Sequence, residues 1–172
     1  MYRRAAASFA IAFVMGVLGT ACQHLPAPAL TDAKQIAIRA EVMRTAEEFV
    51  AAMERLDADA SAGYMADDVE FRHADNEGHV MDFAAGRRAM KTWFTAAVSQ
   101  KATPKRREVV VVSPDTALYV WQGSIQVDLK DGSRLRAPAY AVSALFKLVD
   151  GSWKILFWQE SGEITPVSPS GK

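Results

Sequence analysis

The chain has few of the side chains that signal a chemistry on their own. A single cysteine, Cys22, excludes an intramolecular disulfide and leaves no cysteine-based zinc site. The three histidines, His24, His73 and His79, show no metal-ligand spacing such as His-x-x-x-His. Charge of one sign is missing too. Twenty basic residues balance 20 acidic ones, without the basic excess of a nucleic-acid binder. Lys105-Arg106-Arg107 is short and has no interleaved aromatic side chains, so it reads as the solvated start of a strand. Gly86 and Gly123 belong to no phosphate-cradling loop, and no Ser-His-Asp pattern is present, so neither a metal nor a cofactor is expected. What is there is globular: half the residues are apolar and 23% are charged, in a 172-residue chain long enough for one domain.

The amino-terminal stretch reads as an address. Residues 1–21 contain no acid, and Arg3 and Arg4 precede a charge-free run from Ala5 to Ala21. A membrane span needs about 20 apolar residues, so this shorter run fits the n- and h-regions of a secretory signal instead. It ends in Leu18-Gly19-Thr20-Ala21-Cys22, which resembles the lipobox of bacterial lipoproteins. The resemblance implies cleavage before Cys22, acylation of its thiol and anchoring on the periplasmic side of a membrane. Gln23 after the cysteine favours the outer one. The match departs from the family at Gly19, where leucine is usual. An ordinary signal peptide cut before Cys22, or after Ala27-Pro28-Ala29, is the alternative. Removing residues 1–21 takes away Arg3 and Arg4 and leaves 18 basic residues against 20 acidic. Residues 22–31, with Pro26 and Pro28, read as a tether, and residues 165–172, with Pro166 and Pro169, as a flexible tail. The folded domain is expected over 32–164.

Within it, Thr31 and Asp32 offer a helix cap, followed by Ile38, Val42, Thr45, Phe49, Ala52 and Leu56 on one stripe. Asp57 and Asp59 cap a short second helix that Gly63 ends. Two short strand-like runs flank Asp75-Asn76-Glu77-Gly78. A third helix then carries Met90, Trp93, Phe94, Ala97 and Val98 on one side and is expected to break at Thr103-Pro104. The remainder reads as strands from Glu108 onwards, with turns at Asp131-Gly132 and Asp150-Gly151. The fold class is therefore α+β, an antiparallel sheet wrapped on three helices.

Two-residue loops at both Asp-Gly turns would fix the register. One face would carry Tyr140, Val142, Ala144, Phe146, Leu148, Trp153, Ile155, Phe157 and Gln159, with Tyr119, Trp121, Gly123, Ile125 and Val127 beside them. That is the expected core face. The opposite face begins with Lys147 and Lys154 but continues with Leu145, Leu156 and Trp158. A solvated face would turn polar there, so these three are read as a homodimer contact, with cover by the carboxyl tail as the alternative.

The end GSWKILFWQES, residues 151–161, resembles the last strand of the nuclear transport factor 2-like superfamily, and YMADDVEFRH, residues 64–73, resembles its passage from second helix to first strand. The likeness is nearest to the SnoaL-like polyketide cyclases. It implies a cystatin-like roll or cone whose curved sheet encloses a pocket, usually in a dimer. The superfamily includes ketosteroid isomerase, scytalone dehydratase and limonene epoxide hydrolase beside relatives without catalysis, so fold does not settle function.

In such a cone the register directs Tyr119, Trp121, Tyr140 and Gln159 to the pocket, and the third helix adds Trp93. Tyr64, Phe71 and His73 come from the segment that lines the pocket in the resembled fold. Trp93 and Trp121 could equally fill the core. An aromatic pocket with few polar groups suits a small hydrophobic or aromatic ligand. His73 is the best acid–base candidate. A two-residue loop at Glu77-Gly78 sets it opposite Asp82, and a three-residue loop sets it opposite Met81 instead. Asp67 and Asp68 are read as solvated turn residues or caps, and Glu160 is expected on the outward face, paired with a neighbour. Three functions follow: an exported ligand-binding domain, a cofactor-independent isomerase, cyclase or dehydratase using His73 and Asp82, and a non-catalytic dimerisation module.

Overall fold

The computed structural model describes residues 30–167. The expected signal peptide, Cys22 and the tail beyond 167 lie outside the described residues. Helix α1 (Asp32–Glu54) starts where Thr31 accepts a hydrogen bond from the Lys34 N–H, and it buries Ile38, Val42, Thr45, Ala46, Phe49 and Ala52 along its expected stripe. Helix α2 (Ala58–Gly63) is capped by the Asp57 carboxylate on the Ala60 N–H. Strands β1 (Arg72–Ala74) and β2 (Val80–Met81) form a small hairpin ahead of α3 (Phe83–Ala96). Four long strands follow: β3 (Ala97–Ser113), β4 (Thr116–Leu129), β5 (Arg134–Val149) and β6 (Ser152–Ser161). The short β7 (Thr165–Pro166) ends the order.

The seven strands make one curved, unclosed sheet in the order β2-β1-β6-β5-β4-β3, with β7 on β5. Every pairing is antiparallel except β1 with β6. The expected α+β architecture of three helices on an antiparallel sheet is therefore present. Three glutamates along α1 tie it to the sheet. Glu41 accepts from the Trp153 indole at 3.0 Å, Glu47 pairs with Arg107, and Glu54 accepts from the Ala102 N–H at 2.9 Å.

Four local expectations change. Thr103-Pro104 does not break a helix: α3 stops at Ala96, Ala97 and Val98 already belong to β3, and β3 continues through Pro104 with a register shift between Pro104 and Arg106. Proline is tolerated there because β3 is the outer strand of the sheet. The backbone also comes close at this point. A side chain at Gly123 would meet the Thr103 carbonyl at 2.1 Å. Around Asp131-Gly132, Asp128 faces Arg134 and only Gly132 takes positive φ, which lengthens the loop beyond two residues. A shift between Gly123 and Ile125 then restores Trp121 opposite Val142 and Tyr119 opposite Ala144. Thr165 and Pro166, expected in the flexible tail, pair with Arg136 and Leu135.

The fourth change matters most. Asp150 (φ 48°) and Gly151 (φ 77°) are both left-handed, as a two-residue type I′ turn requires. Leu148 faces Trp153 and Phe146 faces Ile155, as expected. Leu156 is then inserted as a β-bulge, so Leu145 faces Phe157, Ala144 faces Trp158 and Val142 faces Glu160. One extra residue exchanges the two faces beyond it. Trp158, expected on the dimer face, is 6% exposed and packs edge-on against Phe49 at 5.0 Å between ring centres. Gln159, expected in the pocket, is exposed, and Glu160, expected on the outward face, points inward. The bulge falls where β6 changes neighbour. Ile155 hydrogen-bonds through both backbone groups to Tyr64 and Ala66, whereas Phe157 to Gln159 lie beside β1.

Candidate functional site

The pleat brings the inward residues together. His73 on β1 lies beside Trp158 on β6 and opposite Met81 on β2, so these side chains share the concave face with Glu160. The loop that sets His73 against Met81 is closed by the Asp75 N–H on the His79 carbonyl at 3.0 Å, with Gly78 in positive φ. This is the three-residue alternative. Asp82 does not meet His73. Its carboxylate caps α3 by accepting from the Ala85 N–H at 2.8 Å. The carboxylate near His73 is Glu160, with Oε1 3.8 Å from the His73 Nε2.

These residues stand at one end of a cavity of about 370 Å³. Its walls are Phe49 and Met53 from α1, Met90 and Trp93 from α3, Met65 and Ile164. Trp93 is fixed by its indole N–H donating to Gln100 Oε1 at 2.8 Å. A smaller space of about 40 Å³, lined by Tyr119 and Trp121, shares Tyr140, Trp158 and Glu160 with the larger one. Among the expected pocket residues, His73, Trp93 and Tyr140 line the main cavity, and Tyr119 and Trp121 line only its annex. Tyr64 and Phe71 line neither. Tyr64 packs on Phe49, and the fully buried Phe71 packs on Phe83.

Glu160 organises the polar end. Its Oε2 accepts from the Tyr140 hydroxyl at 2.8 Å, and its Oε1 accepts from the Trp158 indole N–H at 2.8 Å. Burial, then the charge of Glu160 and the hydrogen bond to it, push the Tyr140 hydroxyl far above its ordinary value, so Tyr140 stays a donor. Burial likewise pushes Tyr119 up to about 12. His73 is the contrasting case: both ring nitrogens are buried without any hydrogen-bond partner, and the Nδ1 side faces the α3 backbone at Gly86. A buried polar group left unpaired costs about 1–3 kcal/mol, so this imidazole is held in place at the expense of stability.

At the rim, Asp75 Oδ1 accepts from the N–H groups of Glu77 and His79, and its Oδ2 lies 2.9 Å from His79 Nδ1. Burial raises the Asp75 carboxyl, but the His79 N–H, the His79 ring and the Glu77 N–H outweigh it and hold the group below its ordinary value. The same contact raises His79. Among the described residues, no three His, Cys, Asp or Glu side chains are grouped so as to hold a metal ion.

Residues 42–165 match the sequence profile of the SnoaL-like domain. In three dimensions the chain is similar to a type 2 hexachlorocyclohexane dehydrochlorinase, LinA, with a TM-score of 0.68 and 12% identity over 80% of this chain and 94% of that one. It is also similar to a protein provisionally assigned as a scytalone dehydratase from Novosphingobium aromaticivorans, with a TM-score of 0.70 and 9% identity over 83% and 94%. A nuclear transport factor 2-like superfamily protein from Salmonella enterica gives 0.68 and 11% over 80% and 99%. At such identities the likeness concerns the fold. No curated protein matches the chain in sequence.

Proposed function

Because the chain belongs to the SnoaL-like family, we propose that it binds a small, largely apolar molecule within the cone, with the molecule's polar group directed at Glu160, His73 and Tyr140. The observation that carries this reading is the cavity itself. A space of about 370 Å³ bounded mainly by apolar side chains, aromatic rings and methionines prominent among them, with a few polar groups, has the size and lining of a small-molecule site. The methionines allow its walls to adapt to the occupant. The test is titration with a neutral environment-sensitive dye such as Nile red. Saturable, blue-shifted binding that disappears in a cavity-filling Ala89→Trp variant supports the reading, and non-saturable uptake unchanged by that variant overturns it.

A second reading is catalytic, and the unpartnered imbalance at His73 favours it. Glu160 replaces Asp82 as the carboxylate beside the imidazole, close enough to stabilise an imidazolium once His73 has taken a proton from a bound substrate. Two of the fold's relatives carry names that denote eliminations, which begin with such a proton transfer. Turnover of an elimination or isomerisation substrate, abolished in His73→Ala while binding persists, is the expected result. Unchanged turnover in that variant excludes the role.

Export, lipidation at Cys22 and a homodimer complete the proposal. The acid-free residues 1–21 and the lone cysteine support the first two. Intact-mass analysis of protein extracted from membranes decides between an acylated Cys22 and a plain cleavage. For the dimer, the outer sheet face offers Leu145 and Leu156, both half-buried in the single chain, with Phe157 in the place expected for Trp158. Sedimentation of Phe157→Glu as a monomer supports that face, and an unchanged oligomeric state removes it.

A further inference from the structure

The charge of the cavity narrows the class of molecule it takes, an inference that rests on the binding reading above. Three carboxylates, Asp75, Glu77 and Glu160, contribute to its wall, and no lysine or arginine does. Glu160 is the least exposed of the three, its side chain 17% exposed against 21% for Asp75 and 74% for Glu77. Its hydrogen-bond donors, the Tyr140 hydroxyl and the Trp158 indole N–H, are both neutral, and no lysine or arginine among the described residues forms an ion pair with it. An ionised carboxylate has roughly four lone-pair positions, so two acceptor sites stay free. His73 offers no hydrogen bond in compensation, since Nε2 stands 3.8 Å away. A partly buried anion without a cation is costly, and a cation from outside relieves that cost.

The remaining wall fits the same occupant. Phe49, Trp93 and Trp158 bring aromatic rings to the cavity, and aromatic rings attract cations while also receiving apolar groups. Met53 and Met90 supply adaptable apolar surface. Asp75 and Glu77 at the mouth add negative potential on the way in, where an organic anion would be repelled. We infer that the ligand is a small protonated amine bearing an apolar or aromatic body, its ammonium group on Glu160 and its body against Phe49, Trp93 and the methionines.

Three probes of one shape and different charge test this: 2-phenylethylammonium, 2-phenylethanol and 3-phenylpropanoate, titrated calorimetrically into the purified protein at neutral pH. The expected order is ammonium, alcohol, carboxylate, with the ammonium about tenfold or more tighter than the alcohol, as a charge-assisted hydrogen bond implies. In Glu160→Gln the ammonium should fall to within about threefold of the alcohol, whose own binding stays near the wild-type value. Alcohol binding as tight as the ammonium in the wild type overturns the inference and leaves the apolar pocket standing. A preference that survives Glu160→Gln overturns the assignment to Glu160. Binding of none of the three overturns both readings. Should Glu160→Gln fail to fold, the wild-type ranking alone decides the question of charge.

Discussion

Between the Asp150-Gly151 turn and Leu156, the inward side chains of β5 and β6 close on one another; beyond Leu156 they stand back around a cavity. Phe146 and Ile155, on the turn side, are fully buried, and Phe146 meets Tyr119 edge-on at 6.2 Å. On the far side, Trp158 packs one edge on Phe49 and turns its N–H to Glu160, which itself faces open space with Tyr140 and His73. One hairpin thus supplies a dry core in its first half and a polar-ended pocket in its second. The difference shows how a packed core and a cavity share a sheet. The half that obeys the turn's alternation is packed solid, and the half re-aimed by one inserted residue lines the cavity proposed above as the binding site.

The comparison breaks most severely at Trp158, the first inward side chain beyond the bulge. Trp158→Ala removes the ring that packs on Phe49 and the indole N–H from which Glu160 Oε1 accepts. The cavity left behind and the carboxylate oxygen left without its donor should together cost about 5 kcal/mol or more, measured by urea unfolding. A variant of wild-type stability would show that the hollow half does not depend on this side chain. Next, Phe146→Ala in the solid half should lose about 3–5 kcal/mol in the same measurement, with no space nearby to soften it. Tyr140→Phe in the hollow half removes only a hydroxyl. It should cost about 1.5–3 kcal/mol by leaving Glu160 Oε2 without its donor, and it should weaken ligand binding that Phe146→Leu leaves intact.

The smallest effect lies at the rim. Asp75 is held below its ordinary 3.8, so its contribution is complete above that value and is lost as pH falls through the lower folded one. His79 is raised above 6.5, so its contribution is complete below 6.5 and is lost as pH rises through the higher folded value. The pair is therefore tightest between those limits. In an NMR titration, Asp75→Asn should bring the His79 midpoint down towards 6.5, and an unmoved midpoint would show that the contact does not form in solution.

Much of the solid half was legible in the sequence, because its signals are local. Thr31 marks the start of α1, a three-four spacing marks its buried stripe, and Asp150-Gly151 writes the register as far as Phe146 and Ile155. The hollow half was legible only in part. His73, Trp93 and Tyr140 line the cavity as the sequence leads one to expect, but strict alternation from the turn puts Glu160 on the outward face, because it runs one residue too far. The bulge arises from β6 passing from the 64–66 segment to β1, partners some 90 residues distant in the chain, which no local pattern records. A signal did exist. An outward face that reads Leu145, Leu156 and Trp158 after two lysines has the pattern of an exchange of faces as well as that of a dimer contact. The hairpin at Gly78 was undetermined for another reason: its glycine suits either loop length, and one residue decides whether His73 meets Asp82 or Met81.

The bond from the Trp153 indole to Glu41 spans 112 residues. During synthesis α1 is made first, yet its apolar stripe finds its partners on β3 and β4, and its outer edge is fastened only when β6 arrives. Closure across so long a loop is slow compared with local contacts. For most of the chain's emergence, the stripe of Ile38, Val42 and Phe49 therefore has only the neighbouring α2 segment, with Tyr64 on Phe49, to cover it. The helix that begins the domain is among the last elements to be secured, and a ribosome-bound intermediate must be kept from aggregating until the final strand is in place.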